Sequence, residues 1–413
     1  MNTALVCDYF LDYIGGAQTS MREQQLALTA AGHRVVMVSA ARRGHTSNPD
    51  AAGGSITIVP LLTLPGLDLP VIPNSHATRV RLRQLFLAQA VDVVHVQSEF
   101  GLAHAAADVA AALGIPVIHT VHTFYWASAG RWHAPLVPLG RSLLGRLTGS
   151  PLPRRTLSTT PIDNLLRTLT LGMALRADAV ISPSAHQAQD LKVAGVLGPI
   201  AVIPNPVATS SRPASALTVS KTSHPRFLWV ARCEAVKRPL PFAEAAIEAL
   251  ARLAADTETR ATGATFSVDF VGDGAQLSAL RTLVAEHPQL RVHGALAHSS
   301  VLDLMDTCSA VVLTSVGFDN QPMTIAEAVS RKRGVLYCDP KLREGLAHAG
   351  YLSSNPEVSG LSDALVALVS DPDLLQNMSR GAAGDGAQFS PAVYVARFVE
   401  LVGRTQPGGS VRS

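Results

Sequence analysis

Short unbroken runs of valine, isoleucine, leucine and alanine recur along this chain, helices fall between them, and the rhythm starts twice. In the first half Ala4-Leu5-Val6-Cys7, Arg34 to Ser39, Asp92 to Val96, Val117 to Val121, Ala179-Val180-Ile181 and Ala201-Val202-Ile203 read as strands. Helices are predicted over Ala17 to Ala31 and Leu102 to Leu113, stopped by Gly32 and Gly114. After residue 225 the pattern restarts with Phe227 to Val230, Ser267 to Val271, Arg291-Val292-His293, Ala310 to Leu313 and Val335-Leu336-Tyr337. A strand that is apolar at nearly every position has no face to give to water, so it must be covered on both sides. Such strands alternating with helices predict parallel sheets. A chain of 413 residues is also long for one core. The expected fold class is α/β, with two Rossmann-like, doubly wound parallel-sheet domains facing a central cleft. Their expected spans are 1–205 and 206–390, joined by a Pro-, Ser- and Thr-rich linker between Pro204 and Pro225. The final helix, about 391–403, is expected to pack back on the first domain, and 404–413 to be a disordered tail.

Composition removes several function classes. A net charge of +3 is too small to argue for a nucleic-acid partner. Cys7, Cys233, Cys308 and Cys338 are scattered, each in or beside an apolar stretch. No CxxC pair suggests zinc or redox chemistry, and buried free thiols are expected. Asp8 interrupts the first apolar run with no basic segment before it, which does not fit a signal peptide. Val109 to Gly130 lacks Asp, Glu, Lys and Arg, but Gly114, Pro116, His119 and His122 break it, so it reads as helix end, strand and loop. A cytoplasmic location follows as the expectation. Neither a cofactor nor a metal is expected. Asp371-Pro372-Asp373 reads as a turn between helices, and a strand would point His119 and His122 to opposite faces.

In open α/β sheets, ligands bind beyond the carboxyl ends of the strands, so the loops that follow strands carry the chemistry. The most informative one is Gly317-Phe318-Asp319-Asn320-Gln321-Pro322-Met323-Thr324-Ile325-Ala326-Glu327-Ala328. It joins an apolar strand to a helix, with one acid in the loop and a second about one turn into the helix. Pro322 suits the first helical position, where its missing N–H costs nothing. The N–H groups of Met323 and Thr324 would then leave the helix end free for an anion, at the positive end of its dipole. A diphosphate held there would have an acid on each side for hydroxyl groups; an ordinary strand–loop–helix turn is the plainer reading. After Val230, Arg232 and Lys237 stand five residues apart, a pair that could bracket a diphosphate or simply form a solvated basic loop. Gly15-Gly16 opens the first helix, and Gly272-Asp273-Gly274 follows another strand. Neither is a GxGxxG fingerprint.

Taken in order, these segments resemble the retaining glycosyltransferases of family four, which have the GT-B fold. The resemblance runs through Gly15-Gly16, His119-Thr120-Val121-His122-Thr123, Ala177 to Ser184, Ile203-Pro204-Asn205-Pro206-Val207, Arg232 with Lys237, Gly272-Asp273-Gly274, and an acid pair spaced as E-x7-E, here Asp319 and Glu327. Where the family usually has Glu at the first acid, this chain has Asp319. The resemblance implies transfer of a sugar from a UDP- or GDP-linked donor to an acceptor hydroxyl, with retention and without a metal. It implies that Arg232 and Lys237 neutralise the diphosphate, Glu327 holds the ribose, and Asp319 contacts the transferred sugar. Met323, Thr324 and Gly16 would complete the phosphate cradle, with Gly15 beside it. His122 would meet the sugar or the reacting centre, and Gly294 and Leu296 would lie near the base. Asn320 and Gln321 replace the common Pro and aromatic; they read a sugar hydroxyl or cap the helix.

Trp126 to Arg176 holds seven arginines (131, 141, 146, 154, 155, 167 and 176) against one acid, Asp163, with leucine pairs between them. Arg79, Arg81 and Arg83 form a second basic strip. In a family whose N-terminal domain binds the acceptor, this suggests a glycan, lipid-linked or small-molecule acceptor and peripheral contact with an anionic membrane at its inner face. A solvated lid with arginines over an apolar stem is the other reading. Two alternatives to a transferase remain at this level: a sugar-nucleotide epimerase on the same fold, and a non-catalytic nucleotide-sugar-binding protein.

Overall fold

The structure is a computed structural model, and it describes residues 1–12, 15–42, 55–64, 69–125, 136–208, 215–217, 224–257 and 263–405. The chain forms two units, one of residues 1–208 with 391–413 and one of residues 209–390. The first contains β1 (Asn2–Val6), β2 (Arg34–Ala40), β3 (Ser55–Ile58), β4 (Leu62–Leu64), β5 (Leu69–Val71), β6 (Val93–Val96), β7 (Val117–Thr120), β8 (Ala179–Ser182) and β9 (Ile200–Val202). Its main sheet is parallel in the order β3-β2-β1-β6-β7-β8-β9, and β4 pairs with β5 as a separate antiparallel hairpin. The second unit contains β10 (Arg226–Val230), β11 (Ser267–Val271), β12 (Leu290–Gly294), β13 (Ala310–Leu313), β14 (Gly334–Tyr337) and β15 (Gly350–Leu352), parallel in the order β12-β11-β10-β13-β14-β15. The two-fold α/β, doubly wound architecture anticipated from the alternation is the one observed.

The continuous apolar strands have the reason inferred for them. Along β1, Ala4 and Val6 enter one core while Leu5 and Cys7 enter another, and β2 alternates in the same way. Each sheet face is therefore buried under helices. The second core gathers Phe227, Trp229, Phe242, Phe266 and Phe270, with rings tilted or edge-on to one another. All four cysteines are free and buried.

Some expectations need correction. The final helix runs from Pro391 to Thr405, so it takes in Arg404 and Thr405 of the stretch assigned to a disordered tail; 406–413 lie outside the described residues. Its Tyr394, Phe398, Leu401 and Val402 are buried in a core of the first unit. Most of the proposed linker also lies outside the described residues. Within it, Leu217 N–H donates to Ser379 Oγ (2.8 Å) and Ser215 C=O accepts from Arg333 (2.9 Å), so 215–217 is tied to the second unit. The strands β3 and β15 and the β4–β5 hairpin were not anticipated. The sheet strands among them sit at edges: β3 mixes serine and threonine with its isoleucines, and β15 begins with glycine. Asp371 caps helix Pro372–Asp385 by accepting from Asp373 N–H, as the turn reading requires. Among the described residues, no helix is long and apolar enough to cross a membrane.

The loops at the carboxyl ends of β10, β11 and β12 are tied together by their backbones. Ala231 N–H donates to Val271 C=O (3.2 Å), Cys233 N–H to Asp273 C=O (2.9 Å) and Gly272 N–H to Gly294 C=O (2.9 Å). Gly272 has φ +145°, and a Cβ there would stand 1.8 Å from Ala231 O. Only glycine allows the two loops to touch. Gly272→Ala is therefore expected to lower the unfolding free energy by about 2 kcal/mol or more, read by denaturant titration; an unchanged midpoint would contradict this account of the turn.

Candidate functional site

In each sheet, strand order reverses at one place, between β1 and β6 and between β10 and β13. At such a switch point the following loops diverge to opposite sides and leave a crevice for a ligand. In the second unit that crevice is bordered by the loop after β10, carrying Arg232 and Lys237, and the loop after β13, carrying Asp319. Lys237 Nζ donates to Asp319 Oδ1, and Ser315 Oγ donates to Asp319 Oδ2. The two side chains are only 14% and 12% exposed. Lys237 Nζ also stands 5.1 Å from the centre of the Phe318 ring. Behind this pair, Trp229 Nε1 donates to Thr314 Oγ1 (2.9 Å), and Thr314 Oγ1 donates to Lys237 C=O (2.7 Å). The loop after β13 is held from its other side by Asp339, which accepts from Gly317 N–H (2.7 Å) and Lys341 N–H (3.0 Å). Arg232 leaves the end of β10 exposed to solvent.

Helix Met323–Ser330 begins where that loop ends. Pro322 is its N-cap, with φ −63° and ψ 126°, so the proline sits one position earlier than the sequence suggested. Ile325 N–H is taken by Pro322 C=O (3.1 Å), while Met323 and Thr324 are the first two helical residues and have no intrahelical acceptor. Asn320 and Gln321 are buried just before them. Glu327, one turn in, is 7% exposed and accepts from His298 Nε2 at 2.8 Å. His298 opens helix His298–Thr307, just past Gly294 and Leu296. The second unit therefore brings Lys237 and Asp319 into contact. It sets the Met323 and Thr324 N–H groups at the helix start that follows the Asp319 loop, places Gly272 and Gly294 in the backbone lock between the β10, β11 and β12 ends, and pairs Glu327 with a histidine. His298, Ser315 and Asp339 were missed. Ser315 lies two residues past a strand end and four before Asp319, a local signal that was available; His298 meets Glu327, and Asp339 meets Gly317, across sequence gaps that no local pattern reveals.

In the first unit, Gly15 caps helix Gly16–Ala30 in extended backbone, φ −151°. Its role needs no left-handed conformation. A Cβ at Gly16 would meet nothing within 4 Å among the described residues. Tyr13 and Ile14 of the same loop lie outside the described residues. His122 lies just beyond β7; its Nε2 is 2.6 Å from Gln97 Oε1, and burial pulls its pKa down to about 4, leaving it neutral. His119 is buried in β7. At the β1–β6 switch point, Asp8 accepts from Ser98 Oγ (2.7 Å) and from the N–H groups of Phe100, Leu102 and Ala103 at the start of helix Gly101–Leu113. Glu99 beside it is 4% exposed, and its Oε1 has no partner among the described residues. Burial, with the Asp8 charge adding to it, pushes the Glu99 pKa up to about 8. No cluster of three or more His, Cys, Asp or Glu suited to a metal occurs among the described residues.

A family model described as Glycosyltransferase Family 4 matches residues 14–211. No curated sequence matches the chain. Among solved structures, the fold is similar to Anabaena HepE in complex with UDP, at TM-score 0.66 and 15% identity over 97% of this chain and 99% of that one. It is similar to sucrose-phosphate synthase from Thermosynechococcus elongatus, at TM-score 0.65 and 14% identity over 97% and 98%. A glycosyltransferase from Rickettsia africae gives TM-score 0.66 and 14% identity over 98% and 99%. At these identities the likeness is one of fold, and that fold is GT-B.

The buried carboxyl at Glu99 gives a stability test. Its folded pKa lies above its ordinary value of 4.5, so its favourable share of stability is present below 4.5 and is lost as pH rises through about 8. Glu99→Gln should therefore gain stability relative to the parent protein as pH rises from about 5 to about 9, followed by thermal melts. A difference between the two proteins that stays constant with pH would show that folding does not shift the Glu99 pKa.

Proposed function

Residues 14–211 match the model of glycosyltransferase family 4, and on that premise we propose that this chain moves a sugar from a nucleoside-diphosphate donor to an acceptor hydroxyl with retention of configuration. The observation that carries this reading is the Lys237–Asp319 pair at the switch point of the second sheet, beside two N–H groups at a helix end. Breaking the anomeric bond leaves negative charge on the diphosphate. Arg232, Lys237 and the Met323 and Thr324 N–H groups are the donors assigned to it, and one such preorganised contact is worth about 3 kcal/mol in the transition state. Asp319 holds Lys237 in place and keeps carboxylate capacity for a sugar hydroxyl. Asn320 and Gln321 flank it. Glu327, already an acceptor for His298, takes the ribose hydroxyls, and Gly294 and Leu296 border the base. In the first unit, His122 and the Gly15-Gly16 helix start are assigned to the sugar and phosphate. HepE carries UDP in one structure and UDP-glucose in another, which favours a uridine donor over a guanosine one.

For retention, the acceptor oxygen attacks the face that the leaving group departs from. The bond from the anomeric carbon to the phosphate oxygen breaks, the bond to the acceptor oxygen forms, and the acceptor proton passes to the leaving phosphate oxygen. No protein carboxylate is needed as nucleophile, so Asp319 and Glu327 are not a glycosidase pair.

The acceptor is assigned to the first unit. Helix Val137–Thr148 exposes Leu139 and Leu143, and Leu136 before it, next to Arg146. Its inner residues Val137, Leu144 and Leu147 share a core cluster with Leu69 of the β5 strand, whose hairpin exposes Leu62 and Leu64. Exposed leucines among arginines support a lipid-linked or envelope-glycan acceptor at an anionic inner membrane face, with the protein cytoplasmic and peripheral. Arg131 of the basic stretch lies outside the described residues.

A thermal-shift panel of UDP, GDP and ADP with their sugars tests the donor. A true ligand at a hundredfold excess over its Kd adds about 2.7 kcal/mol to stability, and no shift with any would end the reading. Arg232→Ala should lower the transfer rate about a hundredfold, as the loss of one charge-stabilising contact requires; donor consumed with no acceptor present would point to an epimerase instead. Vesicles of phosphatidylglycerol should co-sediment the protein where phosphatidylcholine vesicles do not, and equal behaviour would remove the membrane contact.

A further inference from the structure

His122 does not stand alone in the first unit: it is the outer end of a buried chain of amides. Its Nε2 lies 2.6 Å from Gln97 Oε1. Gln97 is 1% exposed, and its Nε2 lies 2.8 Å from Gln24 Oε1 and 3.0 Å from His95 Nε2. Gln24 Nε2 in turn lies 3.0 Å from Ser20 Oγ and 3.3 Å from Asn205 Oδ1, and Ser20 Oγ donates to Asn205 Oδ1 at 2.6 Å. His95 closes the side branch: its ring stacks on Phe398 of the last helix at 4.8 Å, and its Nε2 is 2.7 Å from Thr120 Oγ1.

A primary amide has one oxygen that accepts and two N–H groups that donate. Gln97 Nε2 donates one N–H to Gln24 Oε1 and turns the other toward His95 Nε2, which accepts it when the His95 proton is on Nδ1. Its oxygen faces His122 and can only accept. The ring nitrogen that touches it must therefore carry the proton. His122 is neutral, because burial holds it deprotonated well below pH 7, so it has a single ring proton to place. We propose that Gln97 is a positioning residue that locks His122 in the Nε2–H tautomer, leaving Nδ1 as an acceptor for a hydroxyl of the bound sugar or acceptor, with Gln24 and Asn205 setting which way the Gln97 amide points. This joins two segments that the sequence shows separately, His122 in its strand-end run and Asn205 in Ile203-Pro204-Asn205-Pro206. A ligand group facing Nδ1 must bring a hydrogen; an ether or a deoxy position cannot satisfy it. The competing arrangement reverses the three amides together and puts the proton on Nδ1.

The inference rests on reading His122 as ligand-facing, and its test separates the two ideas. Long-range 1H–15N correlation spectra of the full-length 15N-labelled protein, without donor, report the tautomer; the His122 signals are assigned by their loss in His122→Gln. The expected spectrum has Nε2 at the protonated position and Nδ1 at the unprotonated one across about pH 6 to 8. Gln97→Leu should merge the two toward averaged shifts and lower the transfer rate about tenfold to a hundredfold. Gln97→Glu should keep the Nε2–H form, because a carboxylate also accepts, and move the His122 titration upward in pH. A parent spectrum with the proton on Nδ1, or a Gln97→Leu spectrum identical to it, overturns the lock. A lock seen in a protein that transfers no sugar from any donor would leave the lock standing and overturn the glycosyltransfer reading.

Discussion

The ion pair between Lys237 and Asp319 is the interaction on which the account of the second unit depends. It joins loops from β10 and β13, strands that are neighbours in the sheet but belong to opposite windings. Both partners are mostly buried, so removing either leaves an unpaired charge, at a cost of about 3–5 kcal/mol. The intact pair must still offset the desolvation of both charges, so it is weak evidence for stability, and what it does is fix where Lys237 and Asp319 stand. It holds a cation beside a helix end whose first N–H groups have no intrahelical acceptor. The fixed dipoles of that end and the ammonium then act together on any anion brought there.

The same geometry recurs in the first unit with different chemistry. Asp8 sits at the β1–β6 switch point as Lys237 and Asp319 sit at the β10–β13 one, but it is spent on one hydroxyl and three backbone donors at the start of helix Gly101–Leu113. No cation among the described residues answers it. The first unit thus offers neutral and weakly acidic groups, His122, Glu99 and the amide chain behind them, where the second offers charge. That division suits a hydroxyl-bearing partner in one unit and a diphosphate in the other.

Much of this was legible in the sequence because it is local. Continuous apolar strands follow directly from burial on both faces, and the central strands of both sheets were found that way. The strand–loop–helix run from Ala310 to Ser330 carries its acid, its proline and its second acid within a few residues, so a pattern could mark it. What stayed hidden is non-local. Edge strands such as β15 are short and half-exposed, and lack the apolar signal. Gln24, Gln97 and Asn205 are ordinary polar residues until folding buries them in one line. Glu99 carries no local mark of burial, yet it is 4% exposed. The placement of Pro322 shows the resolution of such reading: the helix start was right to within one residue, and the cap geometry was not.

The most direct measurement is a crystal structure of the protein soaked with UDP. The account predicts a diphosphate within about 3 Å of the Met323 and Thr324 N–H groups, with Arg232 and Lys237 on its oxygens and the ribose on Glu327. A diphosphate bound elsewhere, with the Lys237–Asp319 pair and the helix end untouched, would contradict it.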